Sequence, residues 1–138
     1  MERSSLEPEP GFVNHINYFV SDVKRVLPFY DALFEALGLT PATPRSSLAT
    51  YVRRSAAGVR VDWFNLYEDA SAIASNIRIA FRAHSRGHVD IVRARISAFA
   101  ANIEGPEGIE AYDTSWYSIR FEDPLGNRFE VCHCAVLR

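Results

Sequence analysis

The chain has 138 residues with 48% hydrophobic, 12% aromatic and 23% charged side chains and a formal net charge of -2. That length and composition describe one globular domain, or two very small ones sharing a core, and exclude a disordered or fibrous chain. The charge argues against nucleic acid as a partner, since phosphate recognition needs a basic excess. No apolar run is long enough to span a bilayer and the first residues lack a signal-peptide core, so a cytoplasmic protein without a membrane partner is expected. Cys132 and Cys134, two apart, are expected to stay reduced.

In chain order, residues 1–12 read as a flexible lead-in containing Glu7-Pro8-Glu9-Pro10-Gly11. Residues 13–20 alternate as a strand, with Ile16, Tyr18 and Val20 on one face and His15, Asn17 and Phe19 on the other. Ser21-Asp22 offers a cap, and Val26, Phe29, Tyr30, Leu33, Phe34 and Leu37 recur at helical spacing up to Gly38. Pro28 predicts a short turn first and a regular helix only from about Val26, because an interior proline costs about 3 kcal/mol. Strands near 48–54 and 60–68 follow, joined at Ala56-Ala57-Gly58.

The order then repeats. Residues 77–83 form a strand, Val89, Val92, Ile96, Phe99 and Ile103 mark a helix, and Gly105-Pro106-Glu107-Gly108 breaks it. Strands near 116–121 and 127–134 flank the turn Asp123-Pro124-Leu125-Gly126-Asn127. His15-Ile16-Asn17-Tyr18-Phe19-Val20 and Arg78-Ile79-Ala80-Phe81-Arg82-Ala83 thus open two copies of one unit, and corresponding positions point to the same place.

The residues Asn14-His15-Ile16, Ser21-Asp22-Val23, Phe29-Tyr30 and the string from Asp123 to Glu130 carry a resemblance covering most of the chain. The sequence resembles the vicinal oxygen chelate superfamily, which includes glyoxalase I, bleomycin-resistance proteins, fosfomycin-resistance enzymes and extradiol dioxygenases. The resemblance implies an α+β fold of two βαβββ modules, 13–70 and 71–138, forming an open, incomplete barrel around a cleft, and commonly a homodimer. In metal-binding members the ligands come from the first and last strands of each module. Matched through the repeat, His15 corresponds to Arg78, 63 residues later, and Glu130, four after Gly126, to Asp62, four after Gly58.

His15, Asp62 and Glu130 could bind a divalent cation such as Zn, Fe, Mn or Ni. Arg78 cannot, having five donors and no acceptor. From the residues alone, His15 reads first as a solvated strand-edge residue and lines the cleft only by the resemblance, Glu130 is an ion-pair partner of Arg128 on its own strand face, and Asp62 the product of an alignment that a one-residue slip would reverse. Arg78 is either an anchor for a ligand carboxylate or phosphate or an internal neutraliser of Glu130. Tyr51, Phe64, Tyr112 and Trp116 are candidate aromatic walls of a ligand pocket, and pack equally well in a core.

His84 and His88 lack the glutamate of a metalloprotease pattern and read as surface residues. In Cys132-His133-Cys134 alternation separates the imidazole from the thiols, and no nucleophile elbow or phosphate loop is present. Two functional classes follow. One is a binder of a small organic ligand, anionic or aromatic, with an incomplete metal site. The other is a metal-dependent isomerase, lyase or dioxygenase that polarises vicinal oxygens, with Glu130, or alternatively Asp62, as the candidate catalytic proton carrier.

Overall fold

A computed structural model describes residues 11–42, 47–108 and 115–135, so most of the expected lead-in lies outside the described residues. Two modules of identical topology emerge. The first is β1 (His15–Val20), α1 (Val23–Ala36), β2 (Thr40–Pro41), β3 (Leu48–Arg54) and β4 (Arg60–Glu68). The second is β5 (Arg78–Arg82), α2 (Arg86–Ile96), β6 (Ala101–Glu107), β7 (Tyr117–Glu122) and β8 (Arg128–His133). Each builds an open four-stranded sheet, ordered β1-β4-β3-β2 and β5-β8-β7-β6, in which the first and last strands pair in parallel and the rest antiparallel. This is the α+β, paired βαβββ architecture expected. No helix among the described residues is long and apolar enough to cross a membrane.

Packing divides the described residues into two compact units, those of 1–27 with 38–73 and those of 28–37 with 74–138, so α1 gives its residues from Pro28 onward to the second unit. In the first, Val20, Val23, Val26, Ala49, Tyr51, Phe64 and Leu66 are buried. In the second, Phe129 sits among Phe29, Tyr30, Phe81 and Phe121 at ring-centroid distances of 5.9 to 6.2 Å. Phe29-Tyr30 is therefore core, as its helical spacing indicates.

Two sequence expectations change. The helix α1 starts at Val23, before Pro28, not near Val26. Pro28 removes one backbone bond, while the Glu68 and Asp22 carboxylates accept from the Val23 and Arg25 amides at 3.0 and 3.2 Å and complement the helix N-terminus. The helix α2 stops at Ile96, so Phe99 and Ile103 are not helical, and the Gly105-Pro106 segment lies inside strand β6. Asn102 at φ 51° and Gly105 at φ 88° redirect the chain there. The two-residue β2 is too short to show any periodicity.

Gly105 has a second constraint, because a Cβ on it would lie 2.8 Å from the Ser118 carbonyl oxygen. Gly105→Ala should therefore lower stability by about 2 kcal/mol or more, combining left-handed strain with a backbone clash. Urea unfolding measures this directly, and a loss below about 0.5 kcal/mol would contradict it.

Candidate functional site

Residues paired across neighbouring strands project to the same side of a sheet, so register assigns the faces. In the second sheet Phe129 pairs with Ile79 and Phe121, and Val131 with Phe81 and Ile119, forming the apolar face. The opposite face carries three rows. Arg78, Arg128 and Glu122 form one, Ala80, Glu130, Arg120 and Glu104 the next, and Arg82, Cys132 and Ser118 the third. A cavity of about 200 Å³ opens on this face, lined among others by Arg78, Arg120, Arg128, Asn102, Glu104 and Glu122.

Glu130 is buried at 7% exposure, and its Oε1 accepts from Arg120 Nε at 3.1 Å. The cation expected to neutralise it was Arg128 or Arg78; the structure gives that place to Arg120, directly across the β7–β8 ladder. Arg120 was missed, although counting outward from Leu125 at the centre of the turn places Arg120 and Glu130 opposite each other. Arg78 instead lies beside Arg128, its register partner on β8, and both are exposed. Among the described residues neither forms an ion pair with an acid.

In the first sheet His15 pairs with Trp63, and their rings stack at 4.8 Å with 6° between planes. His15 is exposed, with Nδ1 2.6 Å from Asn14 Oδ1, and Arg60 lies over the Trp63 ring at 5.1 Å. Asp62, one residue before Trp63, belongs to the other side of β4. There it makes a bidentate pair with Arg53, with Nε–Oδ1 at 3.0 Å and Nη2–Oδ2 at 2.6 Å. Hydrogen bonding to Asp62 raises the Arg53 pKa.

Register also corrects the internal alignment. His15 faces Trp63 where Arg78 faces Arg128, so the position matching Glu130 is Asn65, not Asp62. The slip arises because β1 pairs with β4 from Trp63, three residues into that strand, whereas β5 pairs with β8 from its first residue, Arg128, and because the register of β3 and β4 shifts at Arg53/Arg54. The match extends to the partners. Thr50 Oγ1 donates to Asn65 Oδ1 at 2.8 Å, where the second module has Arg120 and Glu130. Asn65 Nδ2 in turn donates to Asn17 Oδ1 at 2.9 Å. The same cross-strand link is neutral in one copy and ionic in the other.

The aromatic candidates divide. Tyr51 and Phe64, at 1% and 2% exposure, pair with each other on the side of the first sheet opposite to His15 and belong to the core, a correction to their expected role as ligand walls. Trp116 is half-buried and donates from Nε1 to Ser118 Oγ at 3.2 Å. Tyr112 lies outside the described residues.

Matched by register, the four positions that the resemblance assigns to metal ligands hold His15, Asn65, Arg78 and Glu130. One is a guanidinium, one an amide, and the carboxylate is bound by Arg120. Among the described residues no three His, Cys, Asp or Glu side chains group as a metal site. This donor set does not fit a divalent metal centre of the expected kind.

His84 and His88 stack at 5.1 Å, and His88 is structural: its Nδ1 accepts from the His84 amide at 3.1 Å and its Nε2 lies 2.7 Å from the Ala36 carbonyl. Both cysteines are free. Burial, then the nearby Cys134 and Glu130, push the Cys132 thiol up from 9.0 to about 11, with Arg82 opposing. At pH 9 about one per cent of folded Cys132 is thiolate, against half in the unfolded chain. Iodoacetamide should thus modify Cys132 far more slowly in the native protein than in urea, and equal rates by mass spectrometry would refute this assignment. Because the pKa is raised, the associated stabilisation holds below pH 9 and is lost as pH rises through about 11.

The family model described as the Glyoxalase/Bleomycin resistance protein/Dioxygenase superfamily matches residues 12–131. Among solved structures, a glyoxalase/bleomycin resistance protein from Albidiferax ferrireducens T118 is similar at 25% identity and TM-score 0.71, covering 90% of this chain and 100% of that one. The genomically encoded fosfomycin resistance protein FosX of Listeria monocytogenes shares 21% identity at TM-score 0.62, with 91% and 95% covered. A glyoxalase-related enzyme from Fulvimarina pelagi shares the fold at 13% identity and TM-score 0.64, with 88% and 87% covered. No curated protein matches the chain. With nearly its whole length matched by the family model, the chain belongs to the glyoxalase/bleomycin resistance protein/dioxygenase superfamily.

Proposed function

We propose that this protein binds a small organic anion without a metal, on the polar face of its second sheet, and that Arg78 and Arg128 hold the anionic group. The observation that carries this reading is their side-by-side placement. Like charges directly opposite on paired strands repel, and among the described residues neither guanidinium forms an ion pair that offsets the repulsion. A bound carboxylate or phosphonate removes that repulsion and gains charge-assisted, bidentate hydrogen bonds from guanidinium groups. Arg120 is already committed to Glu130, so the two flanking arginines are the ones left to recognise ligand. The cavity, at about 200 Å³, is below the 300–1,000 Å³ range of drug-sized sites, which suits a small metabolite.

Glu130 has a positioning role in this reading. It fixes the Arg120 side chain, and its own charge is neutralised by that contact. Glu130→Gln should weaken the Arg120 contact and lower stability by about 1–2 kcal/mol, because a charge-assisted bond becomes a neutral one at a buried site. Thermal unfolding of the variant checks this, and an unchanged midpoint would contradict it.

The test of the function is to purify the protein without chelators, measure bound transition metal per chain, and titrate butyrate and methylphosphonate with and without EDTA. The expected result is far less than one metal per chain and saturable anion binding that EDTA does not change. Stoichiometric metal, or binding that EDTA abolishes, would overturn the reading in favour of metal-dependent chemistry.

A further inference from the structure

The charges around the cavity are sorted. Arg78 and Arg128 stand on β5 and β8, while Glu122 and Glu104 stand on β7 and β6. Between them, Arg120 and Glu130 form a neutralised pair. Sorting of this kind is unstable unless something prevents collapse, since Glu122 is the register partner of Arg128 and would be its natural ion-pair partner. Instead, Glu122 Oε2 accepts from Asn102 Nδ2 at 3.0 Å, and no Glu122–Arg128 ion pair forms. Asn102 is the residue with φ 51°, so the unusual backbone of β6 is what presents this amide to the carboxylate. Among the described residues neither Glu104 nor Glu122 has a cationic partner within ion-pair distance.

The cavity therefore has one cationic side and one anionic side, neither ion-paired with an opposite charge among the described residues. We infer that its ligand is a small zwitterion, with a carboxylate or phosphonate against Arg78 and Arg128 and an ammonium group against Glu104 and Glu122. This rests on the anion-binding reading above and narrows it to a ligand class, amino acids and their ω-amino or aminophosphonate analogues. The scale agrees: neighbouring strands are about 4.8 Å apart, so the β8 and β6 backbones stand roughly 10 Å apart, a span that long Arg and Glu side chains and a small molecule between them can bridge. A plain anion would satisfy the arginines but sit beside two unbalanced carboxylates, which disfavour it.

The experiment compares γ-aminobutyrate with butyrate, which have the same chain length and carboxylate and differ only in the ammonium group. Dissociation constants are measured by NMR titration of the whole protein, of Arg78→Ala, and of Glu104→Gln and Glu122→Gln made separately. γ-Aminobutyrate is expected to bind at least tenfold tighter than butyrate. In each Gln variant the two ligands should move in opposite directions, γ-aminobutyrate weakening and butyrate tightening, so that the preference falls several-fold. Arg78→Ala should weaken both. Equal affinity of the two ligands for the unaltered protein would overturn the zwitterion inference and leave anion binding standing. Saturable binding of neither would overturn both, and a preference that both Gln variants retain would also overturn the inference.

Discussion

Replacing Asp123 with alanine will remove about 4–6 kcal/mol of stability, a large part of what a domain of this size has. Asp123 is fully buried, and its carboxylate accepts from four donors: the Tyr30 hydroxyl at 2.6 Å, the Leu125 and Asn127 amides at 2.8 and 2.9 Å, and Asn127 Nδ2 at 2.8 Å. Tyr30 and Asn127 are themselves buried, so the alanine variant strands three donors away from water, each costing about 1–3 kcal/mol. The turn would also lose its lock, because Gly126 at φ 88° and the Asn127 side chain, which accepts from the Ser75 amide, are held in the geometry that Asp123 defines. Tyr30→Phe removes only one of the donors and should cost about 1–2 kcal/mol. Chemical denaturation of the two variants measures both values. A loss under 1 kcal/mol for Asp123→Ala would mean that the turn is not held by this carboxylate.

The second large effect falls on ligand binding. Arg78→Ala should weaken butyrate binding roughly 10- to 100-fold, the amount carried by a charge-assisted bidentate contact of about 1.5–3 kcal/mol. The same change should leave the unliganded protein slightly more stable, by a few tenths of a kcal/mol, since it removes the repulsion between Arg78 and Arg128. Opposite signs in affinity and stability separate a binding residue from a structural one. If Arg78→Ala instead lowers stability and leaves affinity unchanged, the guanidinium has a structural partner and not a ligand.

The fold was legible because two patterns recur in order. Strand alternation in His15–Val20 and helical spacing in Val89, Val92 and Ile96 each report a single buried face, and the Asp123–Asn127 turn has both its proline and its glycine. Errors appeared where apolar spacing continued by coincidence, at Phe99 and Ile103, and where N-terminal carboxylates offset Pro28. The site was harder to read because it depends on register, and where β1 begins to pair along β4 is not written in the spacing of either strand. Counting from a glycine gave Asp62, whereas pairing with β1 gives Asn65 as the counterpart of Glu130. Arg78 was singled out as unsuited to a metal, and that reading needed only its chemistry. Its neighbour Arg128, and Arg120 as the partner of Glu130, required knowing which residues face each other across β5, β8 and β7.

The central claim is that two adjacent guanidinium groups, not a metal ion, recognise the ligand. The most direct measurement follows the Arg Nε–H resonances by NMR while butyrate is added in the presence of EDTA. Saturable shifts of Arg78 and Arg128, with Arg53 in its Asp62 pair unmoved, are the predicted result. Resonances of Arg78 and Arg128 that stay still, or that move only when a divalent metal is restored, would contradict it.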